Sequence, residues 1–109
     1  MSYEVKSISV FEKQAKRLAK KYVSLKSELL QLVQKLKDNP EEGKAIGRNC
    51  HEIRISIASK GKGKSGGARI ITNIVVMEET VYLLAIYDKS EKENLTEKEL
   101  GELLAYIPG

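Results

Sequence analysis

The residues most suited to chemistry lie in the segment 59–69, which reads SKGKGKSGGAR and contains four cations, four glycines and no acid. This composition favours a polyanion such as a nucleic acid, because cations bind phosphates and glycines let the backbone approach them. The four cations are Lys60, Lys62, Lys64 and Arg69. Arg69 is the most specific candidate, since a guanidinium fixed on a strand can hold two phosphate oxygens at once.

The segment does not match a nucleotide-binding P-loop. That motif, G-x-x-x-x-G-K-[ST], requires a lysine directly after its second glycine. Gly61 and Gly66 have the required spacing, but Gly67 stands where the lysine is needed. We therefore interpret the segment as the tip of a β-hairpin between two apolar strands, with one wall that faces a phosphate backbone.

Charge and composition limit the class of protein. Residues 53–77 carry five cations and no acid, whereas residues 78–109 carry three lysines and eight acids, within a chain of net charge +4. Cys50 is the only cysteine, so an intrachain disulfide is excluded and a reducing compartment is expected. The sequence shows no apolar run that would span a bilayer and no signal-peptide pattern. We expect one cytoplasmic domain, residues 1–109, without membrane association.

Hydrophobic periodicity predicts an α+β fold, because helical spacing near the start gives way to a period of two after residue 52. The expected sheet is small and largely antiparallel, with a helical hairpin packed on it. The predicted strands are 3–8, 53–57, 68–77 and 80–87, the last of them central; the predicted helices are 11–22, 25–36 and one after Thr96; residues 41–51 are a predicted loop. Thr96 and Glu99 have the spacing of a capping box.

Two segments, KGKSGGARII at 62–71 and LLAIYDKSE at 83–91, together with Leu95-Thr96, resemble the HigB-type branch of the RelE/ParE toxin superfamily. The resemblance covers nearly the whole chain, and GKSGGAR is its most specific part. It implies a type II toxin–antitoxin toxin, usually an endonuclease that cuts mRNA in the ribosomal A site and is neutralised by a cognate antitoxin. No cofactor is implied.

The resemblance also implies roles for individual residues. It assigns Arg69 to the scissile phosphate and Lys64 to a basic position beside it, and it places Tyr87 and Lys89 in the site at the end of the last strand. Four further cations match RNA-binding positions: Arg54, Lys60, Lys62 and Lys92. The sequence departs from the better-known branch in having no tyrosine at residues 88–105, where that branch has its catalytic base.

The residues fit metal-independent RNA cleavage, in which the 2′-OH attacks the adjacent phosphate. Clustered metal ligands are lacking, and His51, the only histidine, is more often a structural residue than a base in such a setting. We expect Arg69 and Lys64 to stabilise charge, with Tyr87 or a lysine of lowered pKa in proton transfer. Tyr87 fits a core position equally well, because it shares a strand face with Ala85.

Two other functions remain open from the sequence. A ParE-like protein would poison a topoisomerase by contact alone, without cleaving RNA. A non-toxic module would bind nucleic acid through the basic segment and do no chemistry. In either toxin, we expect the antitoxin to cover the basic sheet face or the terminal helix.

Overall fold

A computed structural model of the chain describes residues 2–60, 67–92 and 94–108. The helices and strands are β1 Glu4–Ser7, α1 Ser9–Lys21, α2 Leu25–Asp38, β2 Lys44–Gly47, β3 Cys50–Ser56, β4 Gly67–Val75, β5 Thr80–Asp88 and α3 Glu97–Leu104. The strands form one sheet in the order β1-β5-β4-β3-β2, in which only the β1–β5 pair is parallel. The predicted α+β fold with a largely antiparallel sheet is confirmed.

The helices α1 and α2 form a hairpin because each presents an apolar stripe to the sheet. Its innermost side chains are at most 6% exposed: Phe11, Leu18, Leu25, Leu32 and Leu36. Hydrogen bonds connect both ends of α2 to neighbouring segments. The Tyr3 amide donates to the Lys37 carbonyl at 2.9 Å, and the Ala58 amide donates to Glu28 Oε2 at 2.7 Å. The helix therefore crosses the sheet from the β1 side to the end of β3.

Strand register assigns the central side chains to two faces of the sheet. Ile53, Ile70 and Ile86 are register partners, and all three are at most 4% exposed. We call their side the hairpin face, since Leu32 of α2 lines the same groove as Ile53. The next register row, Arg54, Arg69 and Tyr87, points the opposite way because strand residues alternate. We call this side the α3 face.

The predicted loop 41–51 is wrong in its second half, which contains β2 and the start of β3. The sequence of β2, KAIG, is mostly exposed and lacks an apolar alternation that would indicate a strand. The strand exists because it pairs with β3 through a turn in which Gly47, Arg48 and Asn49 have positive φ. The fourth strand ends at Val75 rather than at residue 77, and a short 3-10 turn follows it.

Two other predictions about the elements are confirmed. The strand β5 is internal, between β1 and β4, and is buried along its whole length. Helix α3 starts with the predicted capping box: Thr96 Oγ1 accepts from the Glu99 amide at 3.1 Å, and Glu99 Oε1 accepts from the Thr96 amide at 2.9 Å. Within the part of the chain that the structure describes, no helix has the length and apolarity needed to cross a membrane.

Candidate functional site

Three residues of the predicted site meet in one row across the sheet. Arg69 on β4 is the register partner of Arg54 on β3 and of Tyr87 on β5. Arg54 is exposed, whereas Arg69 is 7% and Tyr87 6% exposed. The predicted pairing of the strands that flank the glycine-rich segment is therefore confirmed, and it brings two predicted catalytic residues side by side on the α3 face.

Arg69 is held by an acid that our sequence analysis did not single out. Its Nη1 lies 3.1 Å from Oε2 of Glu52, and the two side chains are 8% and 15% exposed. The same Nη1 donates to Asn94 Oδ1 at 3.2 Å. Glu52 reaches Arg69 across a diagonal of the β3–β4 pair, because its own register partner is Ile71. In this arrangement Nη1 contacts two protein groups, and the expected grip of Arg69 on a phosphate stays a prediction.

The position of Glu52 depends on Gly43. The chain passes so close behind β3 that a Cβ at Gly43 would lie 2.5 Å from the Glu52 carbonyl oxygen and 2.8 Å from Cγ1 of Ile53. Gly43 also has φ of +98°, a conformation that other residues rarely adopt. The close approach of the chain to Glu52 therefore requires a glycine at position 43. The sequence signal for Glu52 was its place two residues before Arg54, on the same strand face.

The phenol of Tyr87 is set up to stay protonated. Burial raises its pKa, and the charge of Glu52 raises it further. A hydrogen bond and the positive charge of Arg69, together with the charge of Lys92, act in the opposite direction but do not overcome the rise. A protonated phenol at neutral pH can give a proton to a leaving group but is a poor base. Tyr87 is thus both buried and part of the site.

Lys92 and Lys89 follow β5 and differ in their surroundings. Lys92 shares a cavity wall with Tyr87, and its Nζ lies 2.6 Å from Oε2 of Glu99. This hydrogen bond lowers the pKa of the partly exposed Glu99 carboxyl. Lys89 is exposed in the turn after Asp88. The structure therefore places Lys92 beside Tyr87 and leaves Lys89 at the surface of the same turn.

Lys60 does not join this group. Its Nζ lies 3.0 Å from Oδ1 of Asp88, and their side chains are 14% and 1% exposed. Asp88 is the register partner of Ala68, one residue before Arg69, so it lies on the hairpin face. The expectation that Lys60 and Arg69 crowd one sheet face is therefore wrong. Lys62 and Lys64, the other cations of the glycine-rich segment, lie outside the described residues.

The strand position of His51 shows where its side chain lies relative to the site. His51 precedes Glu52 on β3, so its side chain points to the face opposite Glu52 and Arg69. Within residues 2–60, 67–92 and 94–108, no group of three His, Cys, Asp or Glu side chains is arranged to hold a metal ion. Among the described residues, the α3 face brings together Arg69, Glu52, Tyr87 and Lys92.

A cavity of about 140 Å³ lies between the α3 face and helix α3. Glu52, Ile71 and Tyr87 form its sheet side, and Asn94 and Leu100 belong to the chain segment that covers it. The cavity is therefore next to Arg69, which contacts both Glu52 and Asn94. The site consists of a buried guanidinium, a protonated phenol and an adjoining space for a ligand.

Matches to known proteins identify the family of the chain. Residues 8–106 match the family model described as the RelE toxin of the RelE/RelB toxin–antitoxin system. The chain belongs to the RelE toxin family. As a RelE-family member it is a toxin of a toxin–antitoxin module, and membership supports action as a ribosome-dependent endoribonuclease. The HigB-type assignment is narrower than this match and stays a prediction.

Solved structures of Escherichia coli RelE share the fold of this RelE-family toxin. A double mutant in the free state superposes with a TM-score of 0.63 and 13% identity, over 99% of this chain and 100% of the other. The isolated toxin gives a TM-score of 0.51 and 13% identity, over 97% of this chain and 100% of the other. At such identity the likeness concerns the fold, so the roles of single residues are argued from the geometry of this chain.

Proposed function

We propose that this toxin cleaves mRNA in the ribosomal A site, and that the cleavage site is the α3 face around Arg69. The observation that carries the proposal is the row formed by Arg54, Arg69 and Tyr87, in which an exposed cation continues into a buried guanidinium and a buried phenol. An RNA strand laid along this row would meet a phosphate-binding group first and the proton donor last.

Cleavage would proceed by attack of the 2′-OH on the adjacent phosphorus, with the hydroxyl proton passing to a non-bridging phosphate oxygen. The resulting phosphorane would then break its bond to the 5′-oxygen and leave a 2′,3′-cyclic phosphate. Arg69 would stabilise the negative charge of the phosphorane, because a donor held in a low-dielectric site needs no reorganisation during the reaction. Tyr87 would protonate the departing 5′-oxygen, in keeping with its raised pKa. Lys92, whose charge acts on Tyr87, would add to the positive potential.

This set of groups fits an enzyme that depends on the ribosome. Arg69 is partly neutralised by Glu52, and the raised pKa of Tyr87 makes it a poor base. Orientation of the 2′-OH, phosphorus and 5′-oxygen in line can supply a large part of the rate enhancement when the acid–base groups are modest. The ribosome would hold the mRNA in that geometry. Free RNA should therefore be a poor substrate.

We also propose the remaining expected roles. Lys62 and Lys64 would contact the RNA backbone beside Arg69, and Lys89 would add an exposed charge at the rim. The cognate antitoxin would neutralise the toxin in the cytoplasm by covering the part of the α3 face that carries Arg54 and Arg69. These roles rest on the charge of the segment 53–77 and on the family to which the chain belongs.

The test is primer extension on an mRNA in a purified translation system, with and without ribosomes. Wild type should produce new 5′ ends only when ribosomes are present, and Arg69→Ala should abolish them. Arg17→Ala is the matched control, since Arg17 pairs with Glu91 on the exposed surface of α1 and should leave cleavage unchanged. Growth arrest without any cleavage by wild type would contradict the proposal.

A further inference from the structure

We infer that the cavity beneath α3 binds one nucleobase of the RNA and selects cytosine. The inference rests on the proposed function, because it names a subsite of that substrate. Three features of the cavity carry it: its size, its apolar walls and the order of its hydrogen-bonding groups.

The size of the cavity fits a single six-membered ring. Its volume is about 140 Å³, and an apolar protein cavity of about 150 Å³ takes up one benzene molecule. A pyrimidine base fits this space, whereas the second ring of a purine would extend out of its open side. The apolar part of the wall comes from Ile46, Ile71, Leu95 and Leu100. Such a wall favours a flat ring that leaves water.

The polar part of the wall has an acceptor next to a donor. Glu52 lines the cavity and pairs with Arg69 through Oε2, and its carboxylate can only accept hydrogen bonds. Asn94 must turn its oxygen toward Arg69, because a guanidinium has donors only. The Nδ2 group at the other end of the same amide is therefore the donor of Asn94. The two groups are fixed relative to each other by their common contact with Arg69.

This order of groups matches the pairing edge of cytosine. The exocyclic N4 amino group is a donor and suits a glutamate, and the neighbouring ring N3 is an acceptor that suits the Asn94 amide. Uracil has the reverse order, so its O4 would face the carboxylate of Glu52 and its N3–H would face the Asn94 donor. Two unfavourable contacts would replace two favourable ones. Adenine has the same order as cytosine, but its second ring would extend out of the cavity.

The first test measures binding by the free toxin without ribosomes. Methyl resonances of Ile46, Ile71 and Leu100 would be followed by NMR during titration with CMP, UMP or AMP. We expect CMP to shift these methyls with an affinity about tenfold higher than that of UMP, the size of one good base-edge contact. Equal binding of CMP and UMP, or no shift of these methyls, would overturn the inference. Equal binding of AMP would overturn the selection of cytosine.

Two variants localise the effect within the cavity. Glu52→Gln keeps an oxygen for Arg69 but can place a donor in the cavity, so the preference for CMP over UMP should disappear. Glu41→Gln, which makes the same charge change at an exposed position, should keep the preference. Ile46→Phe puts a ring into the cavity and should abolish CMP binding. A Glu52→Gln protein that keeps the full preference would overturn the assignment of Glu52.

Cleavage on ribosomes separates this inference from the proposed function. Sites with cytosine at one fixed position from the cut should be cleaved about tenfold faster than the same sites with uracil, and Glu52→Gln should lower that ratio toward one. A ratio of one for wild type, with normal cleavage, would overturn the cytosine pocket and leave the nuclease intact. CMP binding without any cleavage would overturn the nuclease and leave the pocket intact.

Discussion

Two buried ion pairs lie at the same end of the sheet but on opposite faces. On the hairpin face, Asp88 is completely buried and accepts hydrogen bonds from Lys60 Nζ at 3.0 Å, Tyr22 Oη at 3.0 Å, and the amide and hydroxyl of Ser90, both at 2.9 Å. On the α3 face, Arg69 and Glu52 lie 3.1 Å apart beside a cavity. Both pairs involve cations from the basic segment that the sequence analysis assigned to RNA.

On the hairpin face, the carboxylate of Asp88 has its hydrogen-bonding capacity filled by protein donors. Burial alone would raise the pKa of Asp88, but hydrogen bonds from Ser90, Lys60 and Tyr22 lower it well below its ordinary value. All four donors come from the protein, and together they join the end of α1, the start of the glycine-rich segment and the turn after β5. This pair therefore holds the fold together and leaves no acceptor for a substrate.

The ion pair on the α3 face, Arg69 and Glu52, lies next to the cavity beneath α3. Glu52 and Asn94 line the cavity, and both contact Arg69. A cation paired with a carboxylate thus stabilises the fold where the pair is enclosed, and it can form a ligand-binding site where a cavity adjoins the pair. The predictions below test this difference.

The largest effect should come from Arg69→Lys. The lysine keeps the charge and can still pair with Glu52, but it lacks the planar donor array of a guanidinium. Loss of one preorganised donor at the reacting charge lowers the rate by about 1,000-fold. We expect that loss in single-turnover cleavage on ribosomes, with a nearly unchanged unfolding midpoint. Lys60→Met is the counterpart, and it should lower stability while folded protein keeps most of the cleavage rate. Equal losses of rate in both variants would contradict the comparison.

The next effect is the destabilisation expected for Asp88→Asn. Removing one partner of a buried ion pair costs about 3 kcal/mol, because the other charge stays buried without compensation. The folded pKa of Asp88 lies below its ordinary value of 3.8. Its contribution is therefore present above that value and is lost as the pH falls toward the lowered folded pKa.

Urea unfolding at several pH values checks this prediction. The difference between wild type and Asp88→Asn should be largest near neutral pH and should shrink below about pH 4. A difference that stays constant down to pH 2 would show that the charge of Asp88 does not cause it. Glu41→Gln, at an exposed position, serves as the control and should change stability by less than about 0.5 kcal/mol.

The third prediction concerns Tyr87→Phe, which removes the phenol and keeps the buried ring. Loss of a general acid lowers the rate by about 100-fold, so we expect that decrease in single-turnover cleavage on ribosomes. Because the pKa of Tyr87 is raised above 10.0, the wild-type rate should not rise between about pH 6 and 9. A rate that increases tenfold per pH unit in that range would indicate a phenolate base and would contradict the assignment of Tyr87 as acid. Tyr82→Phe, on the same strand, is the matched control.

The sequence predicted the frame of the site better than its content. Alternation in β3 and the two strands after it placed Arg54, Arg69 and Tyr87, because register follows from the hairpin between them. Glu52 was missed, since it stands just before the acid-free segment and its role in the site depends on a diagonal contact with Arg69. Asn94 was missed because its role comes from the packing of α3 onto the sheet. Tertiary contacts of this kind leave no periodic signal.

The sequence also could not separate the cations of one segment. Lys60 and Arg69 have the same charge and lie nine residues apart, on either side of a glycine-rich turn. Arg69 reaches the α3 face because of its position on β4, whereas Lys60 lies in a 3-10 turn and reaches Asp88, whose burial follows from β5 being internal. Strand β2 was also missed. Ile46 is its only apolar residue that faces inward, and the segment is a strand because it pairs with β3.

The smallest expected effect is a difference between Arg54, which is exposed, and Lys60, which is enclosed, in how the affinity for RNA depends on salt. Arg54 is exposed beside Arg69, so Arg54→Gln should remove one phosphate contact and reduce the slope of log affinity against log salt by about 0.7. Lys60→Gln removes the same charge from the enclosed pair and should leave that slope unchanged. The measurement is fluorescence anisotropy of a labelled single-stranded RNA at 50 to about 300 mM salt, with unfolding curves to confirm that both variants are folded. If Lys60→Gln reduced the slope as much as Arg54→Gln, Lys60 would leave Asp88 to bind RNA, and the distinction between the two faces would fail.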